Sequence, residues 1–131
     1  MSTAIRTDLN GLRVQLPGDS RVYLVDQGRI RHIPNPLVYN ALFRDVGGIV
    51  PDININEIAT GEPVPETAIL FRTTDNPKVW LLDGVPPHQV KRWITSPAAM
   101  DRYHFNWNTI HVYNIPSAGL LYPDGPEISW R

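Results

Sequence analysis

Hydrophobic and polar positions alternate in short runs along this chain. Residues 11–16 (GLRVQL) and 21–26 (RVYLVD) both carry the two-residue period of a strand, with Pro17-Gly18-Asp19-Ser20 as the break between them. Gln27-Gly28 predicts a two-residue hairpin turn in which Gly supplies a positive φ, and residues 29–33 return antiparallel. That turn sets a register: Asp26 faces Arg29, Val25 faces Ile30, Leu24 faces Arg31 and Tyr23 faces His32. Asn35-Pro36 is a cap followed by a proline at the first helical position, so residues 37–44 are predicted as a short helix. Leu37, Ala41 and Leu42 are expected on its inward face, and Gly47-Gly48 ends it. A fourth strand is predicted over 49–53, then a single helical turn over 54–58 and a break over 59–63.

The pattern then starts again. Val22-Tyr23-Leu24-Val25-Asp26 returns as Val79-Trp80-Leu81-Leu82-Asp83, and Arg31-His32-Ile33 with Pro36 returns as Arg92-Trp93-Ile94 with Pro97. Ser96-Pro97 repeats the cap-plus-proline device, predicting a second helix over 98–104, and residues 106–110 answer 45–49. The hairpin connection is longer in the second copy, and the segment after Tyr113 is shorter. Residues 119–122 and 127–130 begin a third unit that is not completed; such a remnant is expected to cover a strand edge. The fold class is therefore α+β, mostly β, with two pseudo-twofold repeats of strand, hairpin, short helix and strand sharing one core. The organisation expected is an N-terminal arm (1–10), loose and polar, then one domain over 11–131. Within it lie repeat 1 (11–67), repeat 2 (68–118) and a partial closing repeat (119–131).

Composition narrows the function classes. At 131 residues with 42% apolar and 19% charged positions, the chain is of globular type and fits one domain. A net charge of −1 gives no basic face for nucleic-acid phosphates. Cysteine is absent, which excludes disulfides and thiolate metal sites. No run reaches the length of a signal-peptide core or a membrane span, so the expected location is cytoplasmic by default, with leaderless export open. The thirteen prolines leave no room for long helices.

The repeated residues carry a resemblance. Tyr23-Leu24-Val25, Gly28, Arg31, Ile33-Pro34, Pro36, Ala41-Leu42 and Thr60-Gly61 in the first copy match a bacterial tandem-repeat module of the type vYLv-nG-kRwIpdpetfnal…iptG. In the second copy the matching residues are Trp80-Leu81-Leu82, Arg92-Trp93-Ile94, Pro97, Phe105-Asn106-Trp107 and Ile115-Pro116. The resemblance covers residues 11–130 and implies an accessory module of secreted or surface-associated bacterial proteins. It carries no defined activity, and so no functional residue. The long second hairpin, the short segment after Tyr113 and the lack of a partner domain depart from it; standing alone, such a module has binding or assembly as its expected job.

Candidate chemistry starts from the repeated pairs Tyr23/His32 and Trp80/Trp93. Two aromatic platforms in equivalent places suit a bivalent sugar binder, because ring faces stack on the apolar faces of sugars; the competing reading is that they cover the core. Arg31 and Arg92 also repeat. Each has the geometry to clamp a carboxylate or a hydroxyl, and each has a structural alternative in pairing with the local acids Asp26 and Asp83. Asp52, Asn54 and Asn56 supply oxygen ligands at alternate positions, as a calcium loop does, but Glu57 stands where that loop needs glycine. His32, His88, His104 and His111 show no metal-ligand spacing, and no nucleophile elbow or phosphate loop is present. The expectation is a non-enzymatic, lectin-like module binding a carbohydrate or glycoconjugate, with up to one site per repeat at Tyr23, Arg31, His32, Trp80, Arg92 and Trp93. No metal or cofactor is expected. The alternative is an assembly protein that forms a homo-oligomer or docks on a larger partner.

Overall fold

The computed structural model describes residues 4–15, 18–51, 57–114 and 122–130. Strand dominates helix, 36% against 18%, so the mostly-β class holds. In chain order the elements are β1 (Arg13–Gln15), β2 (Tyr23–Asp26), β3 (Arg29–His32), α1 (Pro36–Leu42) and β4 (Val50–Pro51). They are followed by β5 (Ile69–Thr73), β6 (Asn76–Asp83), β7 (Val90–Ile94), α2 (Pro97–Arg102) and β8 (His111–Tyr113). Two four-stranded sheets result, ordered β3-β2-β1-β4 and β7-β6-β5-β8. In each, the hairpin pairs antiparallel with the strand before it, and the short strand after the helix adds in parallel.

The first hairpin has the predicted register, Tyr23 opposite His32 through Asp26 opposite Arg29. Gln27 and Gly28 have φ of 52° and 76°, the two positive values that a tight primed turn needs to match strand twist. Gly28 is also required by space: a Cβ there would meet the Ile5 side chain at 2.4 Å. The second hairpin sets Trp80 opposite Trp93 and Asp83 opposite Val90.

Both helices start as predicted. The Asn35 side chain accepts from the Val38 N–H, the Ser96 side chain accepts from the Ala99 N–H, and proline follows each cap. The inward face of α1 differs from expectation. Val38, Tyr39 and Leu42 are buried, whereas Leu37 is 82% exposed. With Pro36 at the first helical position, the three- and four-residue spacing that meets the sheet falls on 38, 39 and 42.

The main core draws on both halves, with Leu24, Val38 and Leu42 packed among Leu70, Leu81 and Met100. Smaller clusters cover the outer sheet faces, around Val14, Val25 and Ile30 on one and around Phe71, Trp80 and Leu82 on the other. Residues 4–10, expected as a loose arm, are pinned: Ala4 bridges to Ile58, the Arg6 N–H donates to the Gly28 carbonyl at 2.8 Å, and Arg102 Nε donates to the Asn10 carbonyl at 2.6 Å.

The outer edge of each hairpin is covered in the same manner. Along β3, the Gly61 N–H donates to Ile30 at 2.8 Å and the Val64 N–H to His32 at 2.9 Å. Along β7, the Gly125 N–H donates to Lys91 and the Ile128 N–H to Trp93, both at 2.8 Å. The C-terminal segment thus does for the second hairpin what residues 61–64 do for the first, shielding a row of backbone groups from edge pairing. The predicted strand at 119–122 falls outside the described residues except for Tyr122, and so do residues 52–56 with the calcium-like spacing.

Candidate functional site

Asp26 closes β2 opposite Arg29, and strand alternation puts Arg31 on that same face. Asp83 and Arg92 stand in the same relation on β6 and β7. Leu24 and Leu81, opposite the two arginines, belong to the shared core, so both hairpins aim an acid and a base at each other. The four charges close into a quartet. Arg31 Nη1 donates to Asp26 Oδ2 at 2.9 Å and to Asp83 Oδ2 at 2.8 Å, while its Nη2 donates to Asp83 Oδ1 at 2.8 Å. Arg92 Nη1 donates to Asp26 Oδ2 at 2.6 Å and Asp83 Oδ2 at 3.1 Å, and its Nη2 to Asp26 Oδ1 at 3.1 Å. Each Nε is taken by the edge-covering segment, Arg31 by the Glu62 carbonyl at 2.8 Å and Arg92 by the Pro126 carbonyl at 2.9 Å.

Burial and charge oppose each other here, and charge wins. Burial pushes the Asp26 carboxyl up, but the hydrogen bonds and positive charge of Arg92 and Arg31 hold it below the usual carboxylate range. Asp83 is likewise lowered against its burial, chiefly by Arg31. Burial and the nearby Asp26 carboxylate push the Tyr103 hydroxyl up; it donates to Asp26 Oδ1 at 3.2 Å. The quartet floors a cleft of about 920 Å³ whose walls include Pro63, Val64, Val85, Pro86 and Pro126. Its charges are matched internally. Arg31 makes four short hydrogen bonds and a long fifth of 3.4 Å to the Pro63 carbonyl, so almost all of its donor capacity is used within the protein. The arrangement joins the two halves, and neither Asp26 nor Asp83 is free to act as a base.

The aromatic positions are placed unequally. Tyr23 and His32 lie 5.5 Å apart between ring centroids and are half-buried. Trp80 is 5% exposed, stacked on Phe71 at 5.6 Å, because strand alternation turns it onto the outer-face cluster. Trp93 is half-buried beside it, with Lys78 Nζ 4.3 Å from its ring centroid. The paired platforms are therefore not equally accessible, and Trp80 offers no open face.

Each half nevertheless carries a groove between its hairpin and its helix. In the first half Val22, His32, Ile33, Pro36, Val46 and Ile49 line about 540 Å³. In the second, Val79, Trp93, Ile94, Pro97 and Trp107 line about 270 Å³, and a neighbouring hollow of about 370 Å³ shares Pro77, Val79 and Trp107 and reaches Ile110. Trp107, 48% exposed, carries the sequence resemblance but does not stand among the candidate site residues predicted from the sequence. Its signal was there: it sits in Asn106-Trp107-Asn108, a polar turn in which the Asn106 side chain accepts from the Asn108 N–H, leaving the indole no strand neighbour to bury it.

The histidines do not gather. His104 Nε2 lies 2.8 Å from Asp45 Oδ1, and no group of three or more metal-ligating side chains occurs among the described residues. No helix among them is long and apolar enough to cross a membrane. Comparison with protein-family models, with curated proteins and with solved structures gave no match.

Proposed function

We propose that this chain is a non-enzymatic binding module of duplicated design, in which each half offers one shallow groove to a saccharide. The observation that carries the reading is the groove of the second half, where Trp107 is 48% exposed beside Trp93 and the prolines Pro77 and Pro97. An open indole face in a shallow, partly apolar groove suits the C–H face of a pyranose ring, and the Trp93 edge and Lys78 supply a second wall and a donor. The first half has His32 and Val46 at the corresponding places, a weaker platform. Arg31 and Arg92 serve in this reading as the clasp between halves, not as ligand clamps. The resemblance to a tandem bacterial module belongs with the same proposal.

A glycan array followed by tryptophan-fluorescence titration tests it. Saccharide binding is expected, and Trp107→Ala is expected to weaken it about tenfold, the worth of one aromatic contact, without changing the unfolding midpoint. A second reading, homo-oligomer assembly, is favoured by Leu37 at 82% and Val112 at 50% exposure, the latter on β8 at the margin of its sheet. An array without a hit, together with a dimer by light scattering, would replace the first reading with the second.

A further inference from the structure

We infer that the groove of the second half selects an anionic saccharide; this rests on the carbohydrate reading and adds the ligand's charge. Its two neighbouring hollows are lined by Lys78 and Arg72 and, among the described residues, by no acidic side chain. Neither cation has an ion-pair partner among the described residues: Lys78 Nζ lies over Trp93, and Arg72 Nη1 makes a long 3.4 Å bond to the Thr73 carbonyl. The first half differs at the matching place. Arg21, aligned with Lys78, is held by Asp19 through contacts of 2.7 to 3.2 Å. Of the neighbouring acids, exposed Glu127, next to the Ile128 that bonds to Trp93, lines neither hollow, and two others are engaged elsewhere. Asp124, whose carboxylate also feels Lys78, is bonded to Lys91 Nζ at 2.5 Å, and Asp75 accepts from Thr73 Oγ1.

Two free cations flanking an exposed indole are therefore a local positive site on a chain of net charge −1. Arg72 stands at the register shift of β5 between Phe71 and Thr73, facing the Pro77–Val79 stretch that both hollows share. Each cation lines a hollow that Trp107 also lines, so a carboxylate or sulfate on a sugar ring seated there would gain a charge-assisted hydrogen bond in addition to stacking.

The test titrates the full chain, followed by tryptophan fluorescence at low salt, with three tetrasaccharides: oligogalacturonate, its fully methyl-esterified form, and a sulfated glycosaminoglycan fragment. One of the two anionic ligands is expected to bind about tenfold more tightly than the neutral ester, with the preference falling in high salt. Which of them binds identifies carboxylate or sulfate as the anion read. Arg72→Gln is expected to remove several-fold of the anionic affinity and leave that for the ester unchanged, whereas Lys78→Gln, which also removes a donor to neutral hydroxyls, is expected to weaken both and the anionic ligand more. Equal affinity for charged and neutral forms overturns the charge preference while the carbohydrate reading stands. No binding by any of the three overturns both.

Discussion

Asp26 is 1% exposed and receives hydrogen bonds from Arg31, Arg92 and Tyr103. Removing its charge leaves two guanidiniums buried against a single carboxylate. Asp26→Asn is expected to cost about 3–5 kcal/mol in urea unfolding, because an uncompensated buried charge is what such a change creates. Replacing the whole quartet (Asp26→Leu, Arg31→Met, Asp83→Leu, Arg92→Met) is expected to be neutral or to stabilise by about 1–4 kcal/mol, since four desolvation penalties disappear with the pairing. The two variants must diverge; a quadruple variant as unstable as the single one would make the quartet a net source of stability. Acid gives the same information. Both carboxyls have folded pKa values below their ordinary ones, so their contribution is complete above the unfolded value of about 3.9 and fades as pH falls through the lower folded values. Acid destabilisation below about pH 4 should therefore be steeper in the natural chain than in the quadruple variant. That the arginines pair with Asp26 and Asp83 was legible from their joint recurrence. That each arginine reaches across to the other half was not, because local spacing says nothing about which faces meet.

At the scale of elements, turns and caps were the legible part. Gln27-Gly28 fixed the register of the first hairpin because a two-residue turn leaves one alignment that keeps Leu24 and Ile33 in the core. The inward face of α1 was misjudged at Leu37, since a helix this short offers two turns of pattern and the starting phase decides everything. The same turn supports a paired prediction. Gln27 holds φ of 52° without the freedom of glycine, so Gln27→Asn is expected to raise stability by up to about 1 kcal/mol. Gly28→Ala is expected to lower it by more than about 1–2 kcal/mol, because the left-handed conformation is compounded by the close approach of Ile5. Thermal unfolding of the two variants reads both signs; a tolerated Gly28→Ala would mean that residues 4–10 do not dock on the turn.

For the molecule as a whole, the decisive feature is that the largest core is shared between the halves, each of which has only a small cluster of its own. Leu24, Val38 and Leu42 are buried by Leu70, Leu81 and Met100, and Phe43 stacks on Phe105 at 5.7 Å. A unit of around 60 residues is marginal alone, so sharing the largest core is expected to stabilise both halves. The second half needs the C-terminal segment as well: Ile128 is 1% exposed and pairs beside Ile94. The placement of tryptophan makes this dependence measurable. All four tryptophans, Trp80, Trp93, Trp107 and Trp130, lie beyond residue 67, so their fluorescence reports the second half, whereas far-ultraviolet circular dichroism reports both sheets. One shared core and one charge clasp demand one cooperative transition, so urea curves from the two probes are expected to superimpose with a common midpoint. Dichroism that moves before fluorescence would mean that the first half comes apart while the second stays folded. The quartet would then be a loose contact between two independent bodies, and the grooves would belong to separately folding units.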